Sequence, residues 1–568
     1  MASVLQSLQQ TTTRALSLYT GYALVHVVVK VLRLWLKAQR MRQMLGPVPK
    51  AHYPDSPLGM FPHMLRNIHR RHDCLADATV GLPKSKCNMG PIFDPVSFFV
   101  LVRDPVVIKH FLKDKFENYT KPPSDRNIAF NNLRIWLGKG IFVARHGIDA
   151  DDKGLNWTKQ RKIASNIFSR GNFNNNMNDV FVGKGRRFCE LLKGPAASGQ
   201  PVDMQAKFFH YTMDSIMQIF FGEQVDTLGG EANQYASAYD TAHRSLIEYT
   251  FKSVGLLNLV KLLPWPFGGT NGLGAKMHRA TNPLFREFKV ALNTLHEESE
   301  RIVDACRSDP DIHQRRDLLA LFVTGDSTSR DAVDSKIRAP LSEKSTEWLR
   351  DVVLNFIIAG RDTTACTLSW MFYILSTHPE IQTKLQAEID GKLAGDAKPT
   401  MQAVSASEMP YLNGVLYETL RLYPPVPIDG KEAVKDDVLP DGTKIPQNCS
   451  LNFLVYAMGR DPDVYSDPEV VRPERWIPFK EPSQFEFPVF QAGPRVCLGM
   501  NMAIFEAKTA ALMLLREYSF DLLPGEKEKI SYLPTALTMS ICNAGGEKFD
   551  SHHLWLIPQA RKPYLGGA

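Results

Sequence analysis

Apolar residues recur at three- and four-residue intervals along much of this chain. That spacing predicts helices over residues 185–192, 204–221, 282–306, 341–377, 381–393 and 500–518. Short runs rich in β-branched or aromatic residues predict strands at 97–102, 438–444, 536–541 and 553–557. Many helices with a few short strands, most of them late, define an α-rich α+β architecture. One break in composition, TGDSTSRDAVDSKIRAP over 324–340, predicts an exposed loop between two helices. No low-complexity linker or internal repeat divides the remainder, so a single large domain is expected.

The amino end departs from this pattern. Residues 15–29, ALSLYTGYALVHVVV, carry no formal charge, and Lys30, Arg33, Lys37, Arg40 and Arg42 follow. Continued through Leu36 with its basic side chains snorkelling, the stretch is long enough for a membrane anchor. The basic flank on its carboxyl side places the rest of the chain in the cytoplasm. A cleaved signal peptide and an interfacial helix are the rival readings; no small-residue cleavage site favours the first. The expected division is an anchor with basic flank over 1–42, a proline-containing hinge over 43–60 with Gly46-Pro-Val-Pro49, and the large domain over 61–568.

Composition changes little in this picture. With 44% hydrophobic and 22% charged residues the chain is an ordinary globular one, and its net charge of +7 is modest for 568 residues. The basic clusters are short, as at Arg70-Arg71, Lys184-Gly-Arg-Arg187 and Arg315-Arg316, and suit solvated faces or a docking face for an acidic partner. They form neither a stripe nor a known module, so nucleic-acid binding is not expected. Cysteines at 74, 87, 189, 306, 366, 449, 497 and 542 show no zinc spacing and no dense disulfide framework, a pattern that suits a reducing compartment.

One cysteine stands apart. In FQAGPRVCLG, residues 490–499, Cys497 lies between Gly493 and Gly499 with Arg495 two residues upstream. Glycines make a tight turn and the close approach of a planar group feasible. The helix pattern that follows puts Cys497 at or just before a helix N-terminus, which favours a thiolate. Arg495 adds a cation for a carboxylate. A thiolate, a flat ligand close to backbone and an anion partner together describe a cysteine-ligated haem.

The spacing Phe490-x-x-Gly493-x-Arg495-x-Cys497-x-Gly499 resembles the haem-binding loop of the cytochrome P450 superfamily. Three further segments carry the same resemblance. Ala359-Gly360-Arg361-Asp362-Thr363-Thr364, a polar island in a long apolar helix, is similar to the family's oxygen-activating segment. The resemblance implies hydrogen-bonding support of oxygen activation by Thr363 and proton relay by Asp362, with the threonine hydroxyl and Gly360 opening the helix locally. Glu418-Thr-Leu-Arg421 resembles the family's E-x-x-R and, with Arg475 of Pro473-Glu-Arg-Trp476, implies a buried structural network. Trp157-Thr-Lys-Gln-Arg161 resembles the W-x-x-x-R helix, so Trp157 and Arg161 are expected to hold a haem propionate, and Lys431 stands where the family often has another base for it.

The resemblance covers about residue 47 to the end, so it implies the P450 fold, a helical bundle around haem b with small β-sheets, and makes residues 61–568 the catalytic domain. It also implies O2 as co-substrate and electrons from NADPH through NADPH-cytochrome P450 reductase. VPIDGKEAVKDDVLPDGTKIP, YAMGRDPDVY and FEFPVFQAGPRVCLGMNMA narrow it to the plant and microbial fatty-acid ω-hydroxylase branch. That branch implies terminal hydroxylation of fatty acids by an enzyme on the endoplasmic reticulum membrane. A hydroxylase of sterols or other rigid apolar molecules, and a reductase-independent lipid hydroperoxide isomerase or lyase, are the alternatives. Channel walls are expected at 129–141, 245–263, 356–363, 426–430 and 533–539.

Two positions depart from relatives. Ala359 stands where animal fatty-acid ω-hydroxylases carry a glutamate that can be esterified to haem, so non-covalent haem is expected. Met500-Asn501 replaces a lysine and acidic residue on the side facing the electron donor.

Overall fold

The computed structural model describes every residue except 1, 47, 53–62, 64–65, 84–86, 92–97, 124–126, 147–156, 169–176, 231–232, 316, 325–345, 394–397, 534–536, 544–551 and 562–568. The helix Thr346–Thr377 runs through the core, with 23 of its side chains buried, from Trp348 to Leu375. Helix Met204–Phe221 packs along it so closely that a Cβ on Gly360 would lie 2.3 Å from Ile216 Cδ1. Gly360 therefore serves helix packing. The expected local opening does not occur: the Thr363 hydroxyl donates to Ala359 O at 2.7 Å, yet the helix continues unbroken.

The predicted helices all form, with ends set by local chemistry. Asp203 Oδ1 accepts from Ala206 N and starts Met204–Phe221, and Gly222, with φ +71°, ends it. Asn282 caps Pro283–Ser308 through Leu284 N and Phe285 N. Residues 185–192 lie within a longer helix, Asn178–Ser198. The run 381–393 appears as Pro379–Lys392 and 500–518 as Met500–Glu517. Residues 341–345 and most of the loop expected at 324–340 lie outside the described residues.

A five-stranded sheet has the order Cys87–Pro91, Phe98–Val102, Ser450–Phe453, Asp429–Ala433, Tyr119–Thr120, with the second and third strands parallel. Strand alternation puts Asp429 and Lys431 on one face of it. Two strand expectations need correction. Residues 438–444 are not one strand but the turn of a hairpin between Asp437–Val438 and Lys444–Ile445, with Gly442 at φ +83°. The strand expected at 536–541 begins only at Ile541 and runs to Asn543; residue 536 is not described. The last strand is Trp555–Ala560, between Val202–Asp203 and Tyr518–Leu522.

Helix Ala2–Leu45 is continuous, and its stretch Gln9–Leu45 is, among the described residues, the one segment long and apolar enough to cross a membrane. Leu16, Leu24, Leu32 and Trp35 are exposed on it, whereas Met41, Leu45 and Val48 are buried against Val100, Leu451 and Phe453 of the five-stranded sheet. The start of the expected hinge is thus packed onto the domain, and residues 47 and 53–60 of it are not described.

Candidate active site around Cys497

The loop before helix Met500–Glu517 is shaped by two residues at positive φ, Gln491 at 65° and Gly493 at 64°. A Cβ on Gly493 would fall 2.2 Å from Leu112 O, so only glycine fits there. Gly499 is different: a Cβ there would touch only Phe168, at 3.6 Å. The turn closes through Cys497 N donating to Phe490 O at 2.8 Å. Cys497 is accessible yet deep in the protein, because it lines an internal cavity. Burial pushes its thiol up from the ordinary value, while the Gly499 N–H and Arg161 pull the other way.

Phe490, Arg495, Trp157, Arg161 and Lys431 line the same cavity. The Arg495 guanidinium stands 4.5 Å from the Trp157 ring centre and donates to Ala144 O at 2.9 Å. Its Nε is buried without a partner among the described residues. The Arg161 guanidinium lies 5.6 Å from the Trp157 ring centre. Burial lowers Arg495 to about 10. Lys431 Nζ bonds Asp429 Oδ2 at 2.8 Å, and Lys121 Nζ bonds Asp429 Oδ1 at 3.0 Å. Burial works to raise Asp429, but the two lysines outweigh it and hold the carboxyl well below the usual range. Burial brings Lys431 down to about 7 despite Asp429.

Lys121 and Gln491, whose amide also bonds Asp429, belong to this cluster and were not expected from the sequence, while Asp429 falls in the expected wall segment 426–430. The donor set fits a haem with two carboxylates: a sulfur facing the cavity, an orphaned buried guanidinium N–H, and an excess of cations over the one acid among them.

On the opposite side of the cavity Thr363 lines the wall, but Asp362 points away, into a cluster made with helix Gln234–Val260. Asp362 Oδ1 accepts from Arg361 Nη1 at 3.0 Å, and Oδ2 accepts from Tyr239 at 3.3 Å. Arg361 Nη2 reaches Asp240 Oδ1 at 2.7 Å. Burial raises the Asp362 pKa against the pull of Arg361 and His243.

Beneath the site, Glu418, Arg421 and Arg475 come together. Arg421 donates to both Glu418 oxygens, at 2.9 and 2.8 Å, and Arg475 Nε donates at 3.2 Å. Trp476 Nε1 and Arg472 N complete the carboxylate, and Gly459 O and Pro468 O take the outer Arg421 N–H groups. Their helix, Pro410–Leu422, is anchored at its start by Glu388, which accepts from Tyr411 N and Leu412 N.

The remaining wall is mostly apolar, with Leu133, Leu137, Ile141, Phe356, Val426 and Leu537 among its residues and polar exceptions that include Asn355, Thr367 and Glu506. Four of the five expected wall segments contribute; among the described residues none of 245–263 does, and Phe168, Phe220, Leu416 and Leu420 supply wall that the sequence did not single out.

The family model for cytochrome P450 matches residues 97–543. Cytochrome P450 704C1 of Pinus taeda is 31% identical over 500 residues, covering 83% of this chain and 88% of that protein. Cytochrome P450 94A2 of Vicia sativa is 29% identical over 511 residues, covering 88% and 90%. The crystal structure of a cytochrome P450DA haem domain superimposes with a TM-score of 0.69 at 20% identity, over 91% of this chain and 98% of that one. This chain belongs to the cytochrome P450 family, and it is an oxidoreductase of the monooxygenase type. The expected fold is the observed one. Membership implies haem iron with a cysteine thiolate ligand, and a redox partner that supplies electrons.

Proposed function

We propose that this enzyme hydroxylates the terminal carbon of fatty acids, with haem b held non-covalently and electrons delivered from NADPH by NADPH-cytochrome P450 reductase. The carrying observation is one cavity that has Cys497 and Thr363 on its walls and Leu133, Leu137, Ile141, Phe356 and Leu537 around them. Such a space suits an alkyl chain entering end first, and orientation by the wall is what selects one carbon among many equivalent ones. The residues resembling the fatty-acid ω-hydroxylase branch support the same substrate class. Ala359 lines the cavity and offers no carboxyl for an ester to haem.

When bound, the haem would supply dioxygen activation, in which one substrate C–H, O2, two electrons and two protons yield one hydroxylated product and one water. Cys497 would hold the haem iron through its sulfur, which would be ionised when bound. Arg161, Arg495 and Lys431, joined by Lys121, would neutralise the carboxylates of the haem, and Trp157 and Phe490 would give it apolar contact. Thr363 holds a proton at Oγ1 on the cavity wall, and Asp362, one residue away, replenishes it from the other face of the helix. Glu418, Arg421 and Arg475 hold the scaffold beneath. Residues 1–42 anchor the enzyme in the endoplasmic reticulum membrane, 43–60 join the anchor, and the catalytic domain over 61–568 faces the cytoplasm. The exposed apolar face of Gln9–Leu45 supports that placement.

The test uses membranes containing the enzyme and a matched reductase, supplied with NADPH and a panel of medium- to long-chain fatty acids, with products identified by mass spectrometry. A terminal hydroxy acid that vanishes without NADPH and in Cys497→Ser is the expected result. Intact thiolate–haem spectra with no fatty-acid product, and turnover of a rigid apolar molecule such as a sterol, would overturn the substrate assignment.

A further inference from the structure

Asp362 needs a source of protons, and most of its surroundings cannot provide one. Its side chain is 1% exposed. On the Oδ1 side stands Arg361, a guanidinium that keeps its proton at any working pH, and beyond it the outward-facing Asp240, 60% exposed. On the Oδ2 side the Tyr239 hydroxyl is fully buried, and burial raises its pKa far above the ordinary value. Cys366, one turn from Asp362 on its own helix, is buried and its thiol is pushed up by burial; among the described residues this leaves His243, one helical turn from Tyr239 on Gln234–Val260, with Nδ1 at 3.5 Å from Asp362 Oδ2.

Of the three side chains beside the Asp362 oxygens, His243 is the one with an exposed part: 17% of its side chain, against 2% for Arg361, while Tyr239 is buried. Its ring lies between Trp136 at 5.4 Å and Tyr239 at 6.4 Å, so its plane is held by packing. Nε2 accepts from Leu537 N at 3.5 Å, beside the cavity rim. With Nε2 accepting, the proton of the neutral ring sits on Nδ1, 3.5 Å from Asp362 Oδ2. Burial lowers the His243 pKa; Asp362 and Asp240 oppose this, and Arg361 reinforces it. Among the described residues, those three and Tyr239 are the ionisable groups that face the ring, and Trp136 and the Leu537 backbone also border it.

We propose that His243 is the positioning residue that connects Asp362 to bulk protons. The inference rests on the reading of Asp362 as the relay acid. A proton is taken up at Nε2 from solvent water as the long contact to Leu537 N opens, and the Nδ1 proton passes to Asp362 Oδ2. One proton enters at Nε2 and one leaves from Nδ1, and the starting tautomer returns when the ring loses the Nε2 proton to water and takes one up at Nδ1. Asp240 and Arg361 fix the carboxylate from the other side without conducting.

The test compares His243→Phe, which retains a ring between Trp136 and Tyr239, with His243→Gln and Asp362→Asn in the haem-loaded enzyme. Infrared hydrogen–deuterium exchange follows the Asp362 carboxyl band, assigned by its loss in Asp362→Asn, with no substrate or reductase present. We expect this band to exchange about tenfold more slowly in His243→Phe, and hydrogen peroxide formed per NADPH to rise about threefold, with KM unchanged. His243→Gln, polar but unable to pass a proton through, should do the same, and it replaces His243→Phe if that variant lacks the reduced carbonyl spectrum. Wild-type exchange and coupling in both His243 variants, with Asp362→Asn impaired, would overturn the role of His243 alone. Wild-type coupling in Asp362→Asn would overturn the relay reading of Asp362, and this inference with it.

Discussion

Two buried Arg–carboxylate pairs lie on opposite sides of the cavity, and they are built to different standards. Glu418 and Arg421 are fully buried, and five donors reach the Glu418 carboxylate: two from Arg421, one from Arg475, and one each from Trp476 and Arg472 N. Arg361 and Asp362 are as deeply buried, yet Arg361 Nε has no partner among the described residues, and the Asp362 contacts to Tyr239 and His243 are long. A saturated pair holds one protonation state and one geometry. An under-bonded pair can change either at modest cost. The first pair is thus suited to support the fold and the second to handle protons.

The largest effect should come from breaking the saturated pair. Glu418→Ala leaves Arg421 and Arg475 without their carboxylate in a closed site, at a cost of about 3–5 kcal/mol. The expected outcome is loss of folded, haem-loaded protein, read as the disappearance of the 450-type band of the reduced carbonyl complex, and Glu418→Asp should restore little because its shorter side chain cannot reach all five donors.

Asp362→Asn should separate the two pairs. Arg361 keeps Asp240 at 2.7 Å and rests over Phe209 and Tyr239, so the fold survives. Product formation should fall by about 100-fold, the scale of a lost proton-transfer group, with the unfolding temperature little changed. A parallel loss of stability would mean that this pair is structural after all. Thr363→Ala removes only a hydroxyl bonded to Ala359 O. It should leave NADPH consumption near the wild-type rate while product per NADPH drops several-fold and hydrogen peroxide rises; unchanged coupling would remove Thr363 from the relay.

The two pairs also differed in how far they could be read from the sequence. Glu418 and Arg421 stand three apart on one helix, and Arg475 sits in a second short motif, so local spacing carried the whole cluster. The same holds for Cys497, since its loop is contiguous and Gly493 is demanded by the close approach of Leu112 O. Around Asp362 only the residues of its own helix were legible. Tyr239, Asp240 and His243 arrive from a helix more than a hundred residues earlier, where a stripe of Tyr235, Tyr239, Ala242, Leu246 and Tyr249 marks the buried face. That stripe was available as a helical signal but is diluted by serines, threonines and a histidine. Lys121 and Gln491 join Asp429 only through tertiary packing, and no spacing announces them. The hairpin at 437–445 was signalled by Asp441-Gly442, a turn dipeptide inside what the β-propensity of its neighbours presented as one strand.

The smallest expected effect extends the comparison to a third buried acid. Glu506, on helix Met500–Glu517, is wholly buried, and neither of its carboxyl oxygens has a hydrogen-bond partner among the described residues, although Ser215 and Thr364 are close. Burial pushes its pKa up to about 8. Because the folded value lies above that of the unfolded chain, the folded protein binds the extra proton between these two values. The stability this supplies is complete below the unfolded pKa of 4.5 and is lost as pH rises through about 8. Glu506→Gln, which keeps the shape and cannot ionise, should match the wild type near pH 5 and melt a few degrees higher (about 2–4 °C) near pH 9. Unfolding temperatures across that range decide the point. A gap that does not widen with pH would mean that Glu506 has found partners and belongs with the saturated pair rather than with Asp362.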